Sequence, residues 1–154
     1  MAEVLAFELF SSYVDGFDSS CWLSRDKHNA PWDFEFVDRE GVLGGPDRKG
    51  WKCLIDVKGC RASRGPRSQT EEPFFIGAKQ LQVAEDAHAH PQDKVLCIIV
   101  RIEGLNGDQD LRIDVLMDPV WQLKQGRLME VVGGGKRVLK NTSKLAVARL
   151  PPSS

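Results

Sequence analysis

The feature that most constrains the fold is the segment VLCIIVRI at residues 95–102, the most hydrophobic run in the chain. Its apolar residues are mostly β-branched, which favours an extended strand. A strand without polar alternation is typical of the centre of a sheet that is buried on both faces. Such a sheet needs helices as covering layers, so the run predicts an α/β domain.

The rest of the chain supplies the other elements of such a domain. An apolar stripe at helical spacing predicts a helix over residues 3–13, and a second helix is predicted over residues 78–87. Alternating apolar and acidic residues in WDFEFV (32–37) predict a half-buried strand, with WKCLIDV (51–57) as its antiparallel neighbour. We also expect a short strand at Trp22-Leu23, a strand in LRIDVLMD (111–118), a short helix from Asp118-Pro119 to about Gln125, and one weak strand with a Gly turn after residue 127.

These elements predict an α/β fold in which a mixed β-sheet is flanked by helices, with the order α-β-β-α-β. The chain has 154 residues, of which 42% are hydrophobic, and this length suits one domain. His88 and His90 stand just before a proline, and we interpret them as a helix end rather than as a metal site.

Several classes of protein are excluded by the same sequence. No apolar run approaches the roughly 18–20 residues of a membrane span, so we expect no membrane partner. The N-terminal segment MAEVLAFELF carries acids and lacks the basic region of a secretory signal. The four cysteines, Cys21, Cys53, Cys60 and Cys97, form no CxxC pair. We therefore expect reduced thiols and an intracellular protein, with nucleus and cytoplasm both open.

Charge is unevenly distributed along the chain, although the net charge is only −1. Residues 1–46 carry 3 basic and 9 acidic side chains, whereas residues 47–68 carry 7 basic and 2 acidic ones. Residues 121–154 form a second basic block, with 7 basic side chains and 1 acidic one. Two basic blocks in a nearly neutral chain favour local contact with a polyanion, and we expect nucleic acid as a partner.

The candidate chemistry lies in the segment LIDVKG at residues 54–59. On a strand, Asp56 and Lys58 point to the same face, whereas Val57 points into the core. Asp33 lies on the preceding predicted strand, so its carboxylate can meet that of Asp56 if the two strands pair. Two carboxylates at short distance repel each other, which favours a divalent cation between them.

Hard oxygen ligands suit Mg²⁺ or Mn²⁺, so Asp33 and Asp56 are the predicted metal ligands. Lys58 is predicted to position or help deprotonate a water that attacks a phosphate. Glu3 on the first helix and Gln80 at the start of the second are predicted as supporting polar groups. The alternative is that Asp56 and Lys58 form an exposed ion pair on an edge strand, which contributes less than about 1 kcal/mol to stability.

Six segments in series carry a family resemblance: AEVLAF (2–7), PWDF (31–34), IDVKG (55–59), FFIGAKQLQVA (74–84), VLCIIVRI (95–102) and MDPVWQLKQGRL (117–128). Their order and spacing resemble the PD-(D/E)XK nuclease superfamily, and more closely the C-terminal domain of the protein NO VEIN family. That family has a helix beginning Gly-Glu-x-x-Ala-aromatic, a Pro-aromatic-Asp strand and a strand reading acid-Val-Lys-small. The resemblance covers roughly residues 2–130.

The resemblance implies a restriction-endonuclease-like core with a metal-dependent nuclease site. It makes Glu3 the first-helix acid, Asp33 the metal-binding aspartate and Asp56 the second acid. It also makes Lys58 the catalytic-type lysine, and Gln80 stands where the family usually has a polar residue. The chain departs from the family pattern at Ala2, which replaces a glycine, and in the long loop after Lys58.

The resemblance also bears on domain organisation. We place the nuclease-like domain at residues 1–132 and a partly flexible tail, with a Gly turn and basic side chains, at residues 133–154. The family helix usually has residues before it, so we expect this chain to be the C-terminal module of a longer, multidomain protein.

The loop at residues 59–73 follows Lys58 directly and contains Arg61, Arg64 and Arg67, which we predict to contact a phosphate backbone. The predicted function is that of a metal-dependent nuclease-like domain that acts on or binds nucleic acid phosphodiesters. Two alternatives stay open: a catalytically inactive nucleic-acid-binding module, and a protein-interaction module of a larger regulatory protein whose basic C-terminal block makes the contact.

Overall fold

The centre of the molecule is the strand β4 (Val95–Glu103), and eight of its nine residues are buried. The computed structural model describes residues 2–27, 29–60, 74–103, 112–133, 136–141 and 148–149. In the main sheet the strand order is β1-β2-β4-β5-β8. The other strands of this sheet are β1 (Phe34–Asp38), β2 (Trp51–Cys60), β5 (Arg112–Met117) and β8 (Ala148–Arg149).

The main sheet is mixed, because β2 runs parallel to β4 while the other pairs are antiparallel. A parallel pair needs a crossover, and here the crossover contains the helix α3 (Ala78–Ala89). The α/β class and the order α-β-β-α-β are therefore confirmed.

Two long helices cover opposite faces of the main sheet. The helix α1 (Ala2–Tyr13) buries Ala6 and Phe10 in a core cluster that also contains Ile55, Val57 and Val100. On the other face, α3 buries Leu81 and Ala84 in two smaller clusters. Because alternate residues of β2 point to opposite faces, Val57 points to α1, whereas Asp56 and Lys58 lie on the face covered by α3.

Two short helices and a second sheet complete the described fold. The short helices are α2 (Leu23–Asp26) and α4 (Pro119–Lys124). The second sheet has the order β3-β7-β6, formed by β3 (Phe74–Phe75), β6 (Leu128–Gly133) and β7 (Lys136–Asn141). Among the described helices, none has the length and apolar content to cross a bilayer.

Two expectations differ from the fold. The predicted strand at Trp22-Leu23 is wrong: Trp22 makes a single bridge to Phe34, and Leu23 begins α2. The segment after residue 127 contributes three strands rather than one weak strand. The boundary predicted after residue 132 falls inside β6, while β7 and β8 pair with β3 and β5. These pairings join residues that are far apart in the sequence, which local patterns do not encode.

The cysteines agree with the expectation of reduced thiols where the structure describes them. Cys21, Cys53 and Cys97 are buried and free. Burial is the main reason that the pKa of the Cys53 thiol and that of the Cys97 thiol are both raised to about 12. The side chain of Cys60 lies outside the described residues.

The turn after β1 is held by one buried carboxylate. Asp38 is 1% exposed, and its side chain accepts hydrogen bonds from the backbone N–H groups of Val42, Leu43 and Gly44 at 2.9, 3.0 and 2.8 Å. The Asp38 carbonyl also accepts from Gly50 N, at 2.7 Å. This turn therefore leads the chain back into β2 in a fixed register with β1.

We predict that Asp38→Ala lowers the free energy of unfolding by about 3 kcal/mol, because three partly buried N–H groups lose a charged acceptor. Urea denaturation followed by tryptophan fluorescence measures this change. The matched control is Asp47→Ala, which removes an exposed carboxylate from the same connection and should leave stability nearly unchanged. Equal effects of the two substitutions would contradict the role given to Asp38.

Candidate functional site

The candidate site lies where Asp33 meets β2. Asp33 stands one residue before β1, and the register Phe34↔Ile55 places it opposite Asp56. Its backbone N–H donates to the Ile55 carbonyl at 2.9 Å, and its carboxylate accepts from the backbone N–H of Val57 at 2.7 Å. The Asp33 side chain is thereby fixed on the sheet, near enough to Asp56 for that carboxylate to raise its pKa.

Asp56 and Lys58 form an ion pair beside Asp33. Lys58 Nζ lies 2.9 Å from Asp56 Oδ2, and the two side chains are 21% and 7% exposed. The contact lacks hydrogen-bond geometry, so this buried oxygen has no hydrogen-bond partner among the described residues. Because β2 lies between β1 and β4, the alternative of an exposed pair on an edge strand is wrong.

The electrostatics of Asp33 are dominated by its own desolvation. The pKa of Asp33 is raised to about 7 from its ordinary value of 3.8, mainly because burial disfavours the charged form. Asp56 and Glu3 raise it further through their negative charges, while the hydrogen bond from Val57 acts in the opposite direction. The site thus holds a proton near neutral pH in the absence of a bound cation.

Glu3 approaches the same site from α1 and is held by two side chains. Its Oε2 accepts hydrogen bonds from Ser24 Oγ at 2.8 Å and from Trp22 Nε1 at 3.3 Å. Trp22 is itself stacked on Phe7, with ring centroids 5.1 Å apart. Glu3 therefore contributes a negative charge near Asp33 from a fixed position.

The short helix α2 supports both acids. The backbone N–H groups of Leu23 and Ser24 donate to the Asp33 carbonyl at 2.8 and 3.3 Å, and the Ser24 hydroxyl binds Glu3. Sequence reasoning missed Trp22 and Ser24, because their segment showed neither helical nor strand periodicity. The abundance of polar side chains around one tryptophan in DSSCWLSRD (18–26) was the available signal.

Gln80 lies in the first turn of α3 and has a supporting role rather than a direct contact with the acids. Its Oε1 accepts from the backbone N–H of Gly77 at 3.2 Å, and its Nε2 donates to the carbonyl of Pro31. Since Pro31 stands two residues before Asp33, Gln80 connects the start of α3 to the segment that carries the aspartate.

A second buried ion pair lies next to the site and was also missed. Arg101 is the register partner of Lys58, and its Nε donates to Glu103 Oε1 at 3.1 Å. Both side chains are almost fully buried, and the guanidinium lies 5.1 Å from the centre of the Phe74 ring. The arginine in VLCIIVRI therefore extends the row of ionic side chains on the α3 face of the sheet.

The predicted site also includes three loop arginines and a metal ion. Arg61, Arg64 and Arg67 lie outside the described residues, so the predicted phosphate contacts stay predictions. Within the described ranges, no group of three or more His, Cys, Asp or Glu side chains is arranged to hold a metal ion. Asp33 and Asp56 therefore form a two-carboxylate site, and Glu3 does not complete a third ligand.

Comparison with known proteins adds no assignment: no protein-family model, no curated protein and no solved structure matches the chain. The resemblance to the NO VEIN family consequently stays a prediction from the six segments. A proposal of function therefore rests on the arrangement of Asp33, Asp56 and Lys58.

We predict that Asp33→Asn increases stability at pH 8 by roughly 1–3 kcal/mol, since each pKa unit corresponds to about 1.4 kcal/mol and partial exposure reduces the effect. A raised folded pKa gives stability that is present below the unfolded value and is lost as pH rises through about 7. The neutral amide removes that loss, accepts from Val57 N–H and donates to Asp56.

Urea denaturation between about pH 4 and pH 8 measures the effect. The unfolding free energies of the wild type and of Asp33→Asn should approach each other as the pH falls. Asp26→Asn is the matched control, because Asp26 is an exposed aspartate on α2. If the Asp33→Asn and wild-type curves run parallel across the range, the desolvated state of Asp33 is disproved.

Proposed function

We propose that the chain is a restriction-endonuclease-like domain of the NO VEIN C-terminal type, with a metal-dependent site for phosphodiesters of nucleic acid. The observation that carries the proposal is the convergence of Asp33, Asp56 and Lys58 on one face at one end of the β1–β2 pair. An ion pair between Asp56 and Lys58 does not by itself account for the neighbouring carboxylate of Asp33. A structural role of Asp33 does not account for the ion pair beside it.

The donor set at this site fits a hard divalent cation. Asp33 and Asp56 lie close enough for Asp56 to raise the pKa of Asp33, and Asp56 Oδ2, which has no hydrogen-bond partner among the described residues, is compensated by the Lys58 ammonium at 2.9 Å. Asp33 and Asp56 would hold Mg²⁺ or Mn²⁺, with water and substrate oxygens as the other ligands. When bound, the ion supplies stabilisation of the negative charge that develops on an attacked phosphate.

Lys58 would hold the phosphate or the attacking water. Its ammonium group is 21% exposed at the side-chain level, so it remains accessible while its position is fixed by Asp56. A positioned cation stabilises developing negative charge more strongly in a desolvated site than in water. Glu3 would orient water from the α1 side, because its other contacts hold it in place near Asp33.

A second candidate function is that of an inactive module that binds nucleic acid. The specific observation in its favour is the ion pair between Lys58 and Asp56, which together with a protonated Asp33 makes the site electrically satisfied without a metal. In this case the basic segments, including Arg61, Arg64 and Arg67, carry the binding and the acids are structural.

We predict that Asp33→Ala and Asp56→Ala each weaken Mn²⁺ binding at least about 10-fold, because each removes a ligand of a two-carboxylate site. Isothermal titration calorimetry of the full chain measures the affinity, with Asp26→Ala as the control for loss of an exposed acid. Circular dichroism confirms that each variant is folded. Wild-type binding that survives both substitutions would overturn the metal site.

Lys58→Ala should keep Mn²⁺ affinity within about threefold and slow cleavage by roughly 10²–10⁴-fold, since it removes a charge used on the reacting phosphate. Cleavage is measured with labelled single- and double-stranded DNA and RNA in Mn²⁺. Salt-sensitive binding without cleavage, lost when Arg61, Arg64 and Arg67 are replaced by Ala, would establish the inactive module instead. Absence of both metal and nucleic-acid affinity would support the protein-interaction alternative.

A further inference from the structure

A cavity lies at the opposite end of α3 from the aspartate site. Its volume is about 220 Å³, and it opens where β4 begins, β5 ends and α3 ends. The cavity is smaller than the roughly 300–1,000 Å³ of sites for drug-sized ligands, so it suits one ring system rather than an extended molecule. Its lining includes apolar, aromatic and charged side chains, among them Trp51, Trp121, Arg48, His88, Cys97 and Asp118.

The polar side of the cavity is formed by His88 and Asp118. Asp118 Oδ2 lies 2.7 Å from His88 Nδ1, and the other ring nitrogen of His88 lies 3.1 Å from Lys124 Nζ, behind the lining. The other Asp118 oxygen accepts from the backbone N–H of Trp121 at 3.1 Å. Both Asp118 oxygens are therefore occupied within the protein.

The backbone at this point adopts an unusual conformation. Asp118 has φ 52° and ψ 84°, one of two non-glycine residues with positive φ in the described part of the chain. Its backbone N–H donates to the Cys97 carbonyl at 2.8 Å, which ties the start of α4 to β4. Such conformations persist where the surroundings hold them, and they are frequent at ligand sites.

The remaining walls are aromatic and cationic. The Arg48 guanidinium lies 5.7 Å from the centre of the Trp51 ring, and the Arg127 guanidinium lies 5.0 Å from that of Trp121. Trp121 is 39% exposed, which is unusual for a large apolar side chain that could instead be buried. Of these cations Arg48 lines the cavity, while Arg127 reaches it only through the ring of Trp121.

We propose that this cavity binds a planar aromatic ring that carries a negatively charged group, the chemistry shared by mononucleotides and aromatic carboxylates. The ring would occupy the apolar space between Trp51 and Trp121, and the anionic group would face Arg48, the arginine of the lining. The site is independent of the aspartate site and of its proposed chemistry. It binds without covalent chemistry, because Cys97 is 2% exposed.

The experiment uses the indole N–H resonances of the ¹⁵N-labelled chain, which has four tryptophans. Titration with AMP and with 1-naphthoate should shift the Trp51 and Trp121 signals saturably and leave the signal of Trp22, which contacts Glu3, unchanged. Trp32 does not serve as a control, because it packs in one cluster with Ala84 and Cys97 of the cavity wall. Single Trp→Phe variants assign the signals. Adenosine should bind about tenfold more weakly than AMP, and inorganic phosphate should produce no saturable shift.

Two variants test the walls. Trp121→Ala should weaken AMP binding about tenfold, in line with the stacking of a ring on an aromatic side chain, and Arg48→Gln should reduce the preference for AMP over adenosine. Tyr13→Ala removes an aromatic ring that is 63% exposed elsewhere and should leave binding unchanged.

Equal affinity for adenosine and AMP would overturn the anionic part of the proposal, and phosphate binding as strong as AMP binding would overturn the aromatic part. Shifts at Trp22 instead of Trp51 and Trp121 would place the ligand at the aspartate site and refute the cavity. Because metal binding and cleavage are measured separately, failure here leaves the proposed function unaffected.

Discussion

The long parallel pairing of β2 with β4 is the constraint on which the other contacts depend. Nine consecutive residue pairs, from Lys52↔Val95 to Cys60↔Glu103, align the two strands. Because β4 is buried on both faces, helices must cover both sides, and α1 and α3 do so. The register then decides which side chains of β2 point to each helix. Asp56 and Lys58 lie on the α3 side as a direct consequence.

The two ion pairs on that side follow one local rule. Asp56 and Lys58 lie two residues apart on β2, and Arg101 and Glu103 lie two residues apart on β4. Each ion pair therefore forms within a single strand. Asp56 Oδ2 and Glu103 Oε2 still have no hydrogen-bond partner among the described residues. Since buried ion pairs contribute little to stability compared with apolar side chains of similar size, stability alone does not explain them.

Periodicity predicted the parts of this structure that are locally encoded. The bounds of α1, α3 and β4 agree with the patterns in the sequence, and the pairing of the first two strands brought Asp33 to Asp56 as expected. The role of α2 could not be predicted, because Trp22 and Ser24 act through side chains that meet Glu3 only in three dimensions. In the second sheet, the pairing of β3 with β7 joins residues far apart in the sequence and could not be predicted, whereas β6 and β7 are close together in the sequence.

The protonation of Asp33 has an evolutionary consequence. A carboxyl group that is destabilised by its own surroundings can be exchanged for an amide with a gain in folding free energy. A lineage that stops using the carboxylate therefore meets no thermodynamic barrier to losing it. Random substitution would then convert such a domain into a more stable one without the carboxylate. Only selection for catalysis would oppose this change.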